Sequence, residues 1–149
     1  GLLLKRIFPG KSQYNLSITV IDVDQRFLSY IEYFAEKEDL PIDCFYHDMR
    51  YPLNESLIEK YDCFFTDPPY TLQGMTLFMT RGVQALKKKR GLNIFLSFAH
   101  KSPEFTLKMQ ETLVEMGLSM NTTLPSFNQY VGAQMIANRS QMIVLQIPT

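Results

Sequence analysis

At 149 residues with 46% hydrophobic content, the chain has material for one domain with a substantial apolar core. Lysine plus arginine and aspartate plus glutamate both number 15, so no net field recruits nucleic acid or an anionic membrane surface. No apolar run approaches the roughly 20 residues that cross a bilayer.

Gly1 to Phe8 is apolar and helix-compatible, and Pro9-Gly10 punctuates its end. It has no cap and no initiator methionine, so the chain is expected to begin inside a helix whose upstream part, including a first strand, is missing. With no charged segment leading into a signal-type stretch, the expected location is the cytoplasm. The β-branched run Leu16 to Ile21 reads as a strand ending on Asp22-Val23-Asp24. Phe27, Leu28, Ile31, Phe34 and Ala35 then recur at helical spacing, and Asp24 is placed to cap that helix. Pro41 introduces a second strand, Ile42 to Tyr46, which stops at His47-Asp48-Met49-Arg50, and Asn54 to Lys60 reads as a short helix.

The third strand, Cys63-Phe64-Phe65, reads as buried and ends on Asp67-Pro68-Pro69-Tyr70. The prolines have no N–H to donate and a fixed φ, so they end the strand in a stiff loop. That loop leaves a backbone carbonyl and the Asp67 carboxylate free to accept hydrogen bonds from one group, with the Tyr70 ring alongside; an amine fits. Leu72, Met75, Met79, Val83 and Leu86 share one face of a helix expected to run to Lys87-Lys88-Lys89-Arg90, with Gly91 as its stop. The basic run there suits the helix dipole as well as it suits a ligand. Leu92 to Phe98 is the next strand, ending at Ala99-His100. Ser102-Pro103-Glu104 starts another helix with a cap, a first-turn proline and an acid. Phe105, Met109, Leu113 and Met116 form its buried face. Leu118 to Leu124 and Met142 to Ile147, joined by Pro125 to Ser140, lack a helix between them and are expected to pair antiparallel. Cys44 and Cys63 read as buried reduced thiols rather than as a disulfide or a metal site.

The alternation predicts an α/β fold of Rossmann-like type: a mostly parallel sheet closed by a terminal antiparallel hairpin, in one domain. Ligands of such sheets bind at the carboxyl ends of the strands, and three strands here end on an aspartate. Asp22 suits the hydroxyls of a ribose, with Val23 against an adenine face. Asp48 suits an exocyclic adenine amine, with Met49 as apolar support. Asp24 and Asp48 each have an ordinary alternative as helix caps. No glycine-rich phosphate loop is present, which favours a nucleoside held by ribose and base over a pyrophosphate cofactor.

This pattern resembles the class I S-adenosylmethionine-dependent methyltransferase fold, in which Asp-Pro-Pro-Tyr is the motif of enzymes that alkylate amino nitrogens. The stretches Ile18–Asp24 and Tyr61–Phe78, with Arg81-Gly82, are similar to the catalytic domain of the branched-chain polyamine synthases. The resemblance runs from Gly1 to about Arg90 and is looser beyond His100. It implies an aminopropyltransferase that uses decarboxylated S-adenosylmethionine to alkylate an internal nitrogen of spermidine. The family's acid-rich Gly-Asp-Asp-Asp loop and N-terminal winged-helix region have no counterpart here, so this piece by itself is expected to bind poorly. In this reading Asp67, Pro68, Pro69 and Tyr70 are the catalytic segment. Asp22, Val23, Asp48 and Met49 hold the donor, and His100 is a second base or substrate contact, or else structural. No metal is called for. The alternative is an S-adenosylmethionine-dependent N-methyltransferase acting on a nucleobase or glutamine amide, which the balanced charge disfavours. A non-catalytic adenosine-binding module is a third reading. A sheet lacking a strand also leaves an uncovered edge through which a homodimer could form.

Overall fold

A computed structural model describes residues 16–132 and 139–148. The predicted helix Gly1–Phe8, with its Pro9-Gly10 stop, and residues 133–138 of the predicted connection lie outside the described residues. Contacts divide the chain into two units, Gly1–Tyr51 and Pro52–Thr149.

The first unit is a βαβ crossover. Strand β1 (Ile18–Asp22) pairs in parallel with β2 (Ile42–Tyr46), Ile18 opposite Ile42 and Asp22 opposite Tyr46. Helix α1 (Gln25–Lys37) connects them, and Asp24 caps it, its Oδ1 accepting from the Arg26 N–H at 2.9 Å. Leu28 and Ala35, seven positions apart, are its buried residues. Phe27, expected on that face, is instead exposed, because it lies one residue, a turn of about 100°, off the stripe through Leu28.

The second unit holds β3 (Phe64–Thr66), α2 (Leu72–Ala85), β4 (Asn93–Phe98), α3 (Pro103–Glu115), β5 (Ser119–Gln129) and β6 (Arg139–Gln146). Its sheet runs β3-β4-β6-β5, with β3 parallel to β4 and the last two ladders antiparallel. Alternate residues of β4, Ile94, Leu96 and Phe98, are fully buried and face Met75 and Met79 of α2 and Met109 and Leu113 of α3 in one core. Ile143 and Leu145 of β6 complete that layer. Ser102 caps α3 by accepting from the Phe105 N–H at 3.3 Å, with Pro103 in the first turn.

Several elements differ from the sequence reading. The third strand starts at Phe64, and Cys63 and Phe65 are exposed rather than buried. An isolated hydrophobic run does not say how many faces of its strand are covered; here Phe65 finds its partner on its own sheet, stacked on Phe95 at 4.4 Å between centroids. Both cysteines are free thiols, with Cys44 half-buried. The helix expected over Asn54–Lys60 is one 3-10 turn, Glu55–Leu57, capped by Asn54.

Helix α2 stops at Ala85, before the basic run, so Lys87–Arg90 does not sit on its last turn. The carbonyls of Gln84 and Ala85 turn instead to the N–H groups of Glu59, Lys60 and Tyr61, and Tyr61 bridges to Leu86. Lys87 and Lys88 then pair with Asp62 and Glu59 at 2.8 and 2.7 Å. The basic run is therefore held against segment 59–62, and Gly91 takes its positive φ of 75° in the turn beyond, donating to the Ile147 carbonyl.

The terminal hairpin forms as predicted, but with longer strands. β5 continues past Pro125 because the ladder is irregular between Leu124 and Asn128, where a missing N–H costs nothing. Ser126 absorbs the distortion with a φ of 52°. Asn128 consequently lies opposite Ser140.

Candidate active site

Asp67 is the first residue beyond β3, and the loop that carries it is fastened to α2. The Pro69 carbonyl accepts from the Thr71 N–H at 2.8 Å, and Thr71 Oγ1 caps the helix by accepting from the Gly74 N–H at 2.9 Å. A side chain at residue 74 would meet the Pro69 carbonyl oxygen and Cβ at 2.8 Å, so glycine is what lets the first helical turn close against the loop. Pro68 is buried, and among the described residues its carbonyl accepts no hydrogen bond.

Two phenols hold the Asp67 carboxylate. Tyr70 donates to Oδ1 at 2.9 Å, and Tyr130, just beyond β5, donates to Oδ2 at 3.0 Å. The Tyr70 ring packs edge-on against Phe98, with 5.2 Å between centroids. Burial pushes the Tyr70 phenol well above the usual tyrosine range, and the adjoining Tyr130 and Asp67 push it the same way. Tyr70 is thus a neutral donor throughout the physiological range. Each carboxylate oxygen accepts one phenol and retains a second acceptor position. Beside the Pro68 carbonyl, the loop therefore presents acceptors suited to an N–H group.

Behind Tyr130 stands a compact polar cluster. Its hydroxyl lies 2.7 Å from Ser97 Oγ on β4 and 3.0 Å from Ser140 Oγ on β6, and Asn128 Nδ2 reaches both serines at 3.0 Å. Ser97 and Ser140 are buried. Sequence reasoning missed all four residues, because Asn128 and Tyr130 were assigned to a connection. The available signal was Ser97, a serine within the apolar run Ile94 to Phe98, on the face opposite Ile94 and Leu96.

His100 follows β4, and its Nε2 accepts from the Ser126 N–H at 3.3 Å, tying the ring to the irregular part of β5. In the first unit the tips of β1 and β2 lie side by side, with the His47 N–H donating to the Asp22 carbonyl at 3.0 Å. Asp22 Oδ1 accepts from the Asp24 N–H at 2.7 Å, and among the described residues Oδ2 accepts nothing. Val23 is exposed and Met49 half-buried. Asp48 closes a turn of its own, Oδ1 accepting from the Arg50 N–H at 2.9 Å, and the Arg50 guanidinium holds its carboxyl down to about 2. Among the described residues no group of acids, histidines and cysteines forms a metal site, and no helix is long and apolar enough to cross a membrane.

Parallel strands with carboxylates at their tips, intervening helices and a closing antiparallel hairpin define the class I methyltransferase-like fold. A methyltransferase from Pyrococcus furiosus superposes with a TM-score of 0.66 at 15% identity, covering 99% of this chain and 68% of that one. The chain belongs to the branched-chain polyamine synthase A C-terminal domain family, whose model matches residues 11–148. An uncharacterized protein of Methanocaldococcus jannaschii is 42% identical over 121 residues, 81% of this chain and 30% of that protein. The N(4)-bis(aminopropyl)spermidine synthase of the same organism is 32% identical over 117 residues, covering 76% of this chain and 33% of its own length. The chain thus spans about a third of the length of the curated relatives it matches. The branched-chain polyamine synthase of Thermus thermophilus, solved with N4-aminopropylspermidine and 5′-methylthioadenosine, has a TM-score of 0.78 at 23% identity, covering 97% of this chain and 47% of that one.

Proposed function

We infer that this chain belongs to an aminopropyltransferase that moves an aminopropyl group from decarboxylated S-adenosylmethionine to an internal amine of spermidine. The observation that carries the reading is the Asp67 carboxylate at the strand tip, held by two phenols yet keeping further acceptor positions, and next in sequence to a Pro68 carbonyl that accepts nothing among the described residues. The relatives' chemistry supports the choice of donor. Displacement at the propyl carbon of that sulfonium leaves 5′-methylthioadenosine, the nucleoside in the Thermus thermophilus structure, whereas methyl transfer leaves the other thioether.

A spermidine internal nitrogen is protonated at neutral pH and must lose that proton before its lone pair can attack. The protonated nitrogen carries two N–H bonds, which Asp67 and the Pro68 carbonyl can accept; once one proton has passed to water, the remaining N–H stays on one of these acceptors and fixes the direction of the lone pair that attacks the carbon bonded to sulfur. As the C–N bond forms, the C–S pair returns to sulfur and the sulfonium becomes a neutral thioether. Tyr70 offers the cationic remainder of the polyamine a ring face. The Oδ2 of Asp22, which accepts nothing among the described residues, suits a ribose hydroxyl, and Val23 and Met49 offer apolar surface to adenine. Asp48 would share its oxygens between Arg50 and an adenine amine. The free cysteines suit a reducing, cytoplasmic setting.

Incubating the full-length protein with spermidine and either decarboxylated or intact S-adenosylmethionine, followed by mass spectrometry, tests the reading. Addition of an aminopropyl group is expected; methylation alone overturns it. Asp67→Asn is expected to abolish turnover, and retained turnover would remove the loop from the mechanism.

A further inference from the structure

The donors and acceptors around Tyr130 can be ordered from both ends. At one end the Asn128 amide nitrogen only donates, so the Ser97 and Ser140 oxygens accept from it. At the other end the ionised carboxylate only accepts, so Tyr130 spends its single proton on Asp67 Oδ2. The phenol oxygen is then left with lone pairs alone, so the Ser97 hydroxyl 2.7 Å away donates to it, and the Ser140 hydroxyl, 3.0 Å from both the phenol and Ser97 Oγ, donates to one of the two. A single direction runs through the cluster, from Asn128 through the two serines to Tyr130 and on to Asp67. No buried side-chain polar atom among the described residues is left without a partner.

From this geometry we propose that Tyr130 is a positioning residue for Asp67, and that Asn128, Ser97 and Ser140 fix its hydroxyl for that task. The proposal rests on the transfer reading given above. Tyr70 belongs to the same loop as Asp67 and moves with it, whereas Tyr130 comes from the far end of the sheet and anchors the carboxylate to β4 and β6. Two donors on different oxygens stop the carboxylate rotating about its bond to Cβ. The remaining acceptor positions then face one fixed direction, which an in-line displacement requires.

The test is Tyr130→Phe in the full-length protein. Loss of the hydroxyl is expected to lower kcat by about tenfold or more while KM for the polyamine stays within about threefold. It is also expected to shift the carboxylate carbon resonance of Asp67, assigned by its disappearance in Asp67→Asn. Unchanged kcat or an unmoved resonance would each overturn the proposal. If Tyr130→Phe does not fold, Ser140→Ala decides: a lower kcat at unchanged melting temperature supports the arrangement, and an unchanged kcat overturns it. A wild-type protein that transfers neither group defeats the functional reading instead, and the Asp67 resonance still reports whether Tyr130 holds the carboxylate.

Discussion

The Phe64 ring occupies the space a side chain at Gly82 would need, its Cε2 only 2.3 Å from where a β-carbon would stand. Strand β3 therefore packs directly on the backbone of α2. Gly82→Ala gains about 1 kcal/mol of helix propensity but forces an aromatic ring out of its place, an overpacking cost of about 1–3 kcal/mol. Net destabilisation is expected, visible as a lower melting temperature, and Phe64→Leu in the same chain should restore part of it.

Gly74 has the corresponding relationship with Pro69, at the other end of the loop. Its substitution by alanine should push the loop away from α2 while leaving the core intact. On the proposed function, the expected signature is a loss of the full-length protein's transfer activity far larger than the change in melting temperature, measured on the same preparation.

Tyr70 offers a pH test. Its phenol is raised above the ordinary tyrosine value, so it ionises later in the folded protein than in the unfolded chain. The stability it contributes is fully present below the unfolded pKa of about 10 and is lost as pH rises through the higher folded value. Alkaline absorbance titration should show one tyrosine ionising late, at or with unfolding, and Tyr70→Phe should remove that component alone.

Asp48 gives the opposite sign. Arg50 beside it lowers its carboxyl from 3.8 to about 2, so whatever it contributes is present above the unfolded value and lost as pH falls through about 2. The Asp48 carboxylate resonance should titrate with its midpoint near that value, and Arg50→Gln should move the midpoint up. The Arg50 side chain is largely exposed, so concentrated salt should move the midpoint the same way.

Elements whose signals are local were legible in the sequence. Ser102-Pro103-Glu104 marked the start of α3, Asp24 capped α1, and Asp67 stood at a strand tip because two prolines cannot extend a strand. Where the deciding partner lies far along the chain, the reading failed. The end of α2 is set by backbone groups of Glu59 to Tyr61, which no local pattern around Leu86 encodes. Phe65 looked buried because its residue type is apolar, yet only the covering of each sheet face decides that. Within the candidate site, Asp67 and Tyr70 share a tetrapeptide and were found together. Tyr130 is separated from Asp67 by 63 positions and arrives through an irregular strand containing Pro125, which reads as a break.

The phenols around Asp67 carry a consequence for charge. Neutral hydroxyls orient a carboxylate without cancelling it, and among the described residues no lysine, arginine or histidine is paired with Asp67. Asp24, Asp48, Asp62 and Glu59 each have a resident cation, while Asp67 has none among the described residues, so on the proposed function its counter-ion is the arriving substrate. A protonated amine arriving there would complete an ion pair of which the protein supplies one member, and on losing its proton it would weaken its own attachment as it becomes reactive.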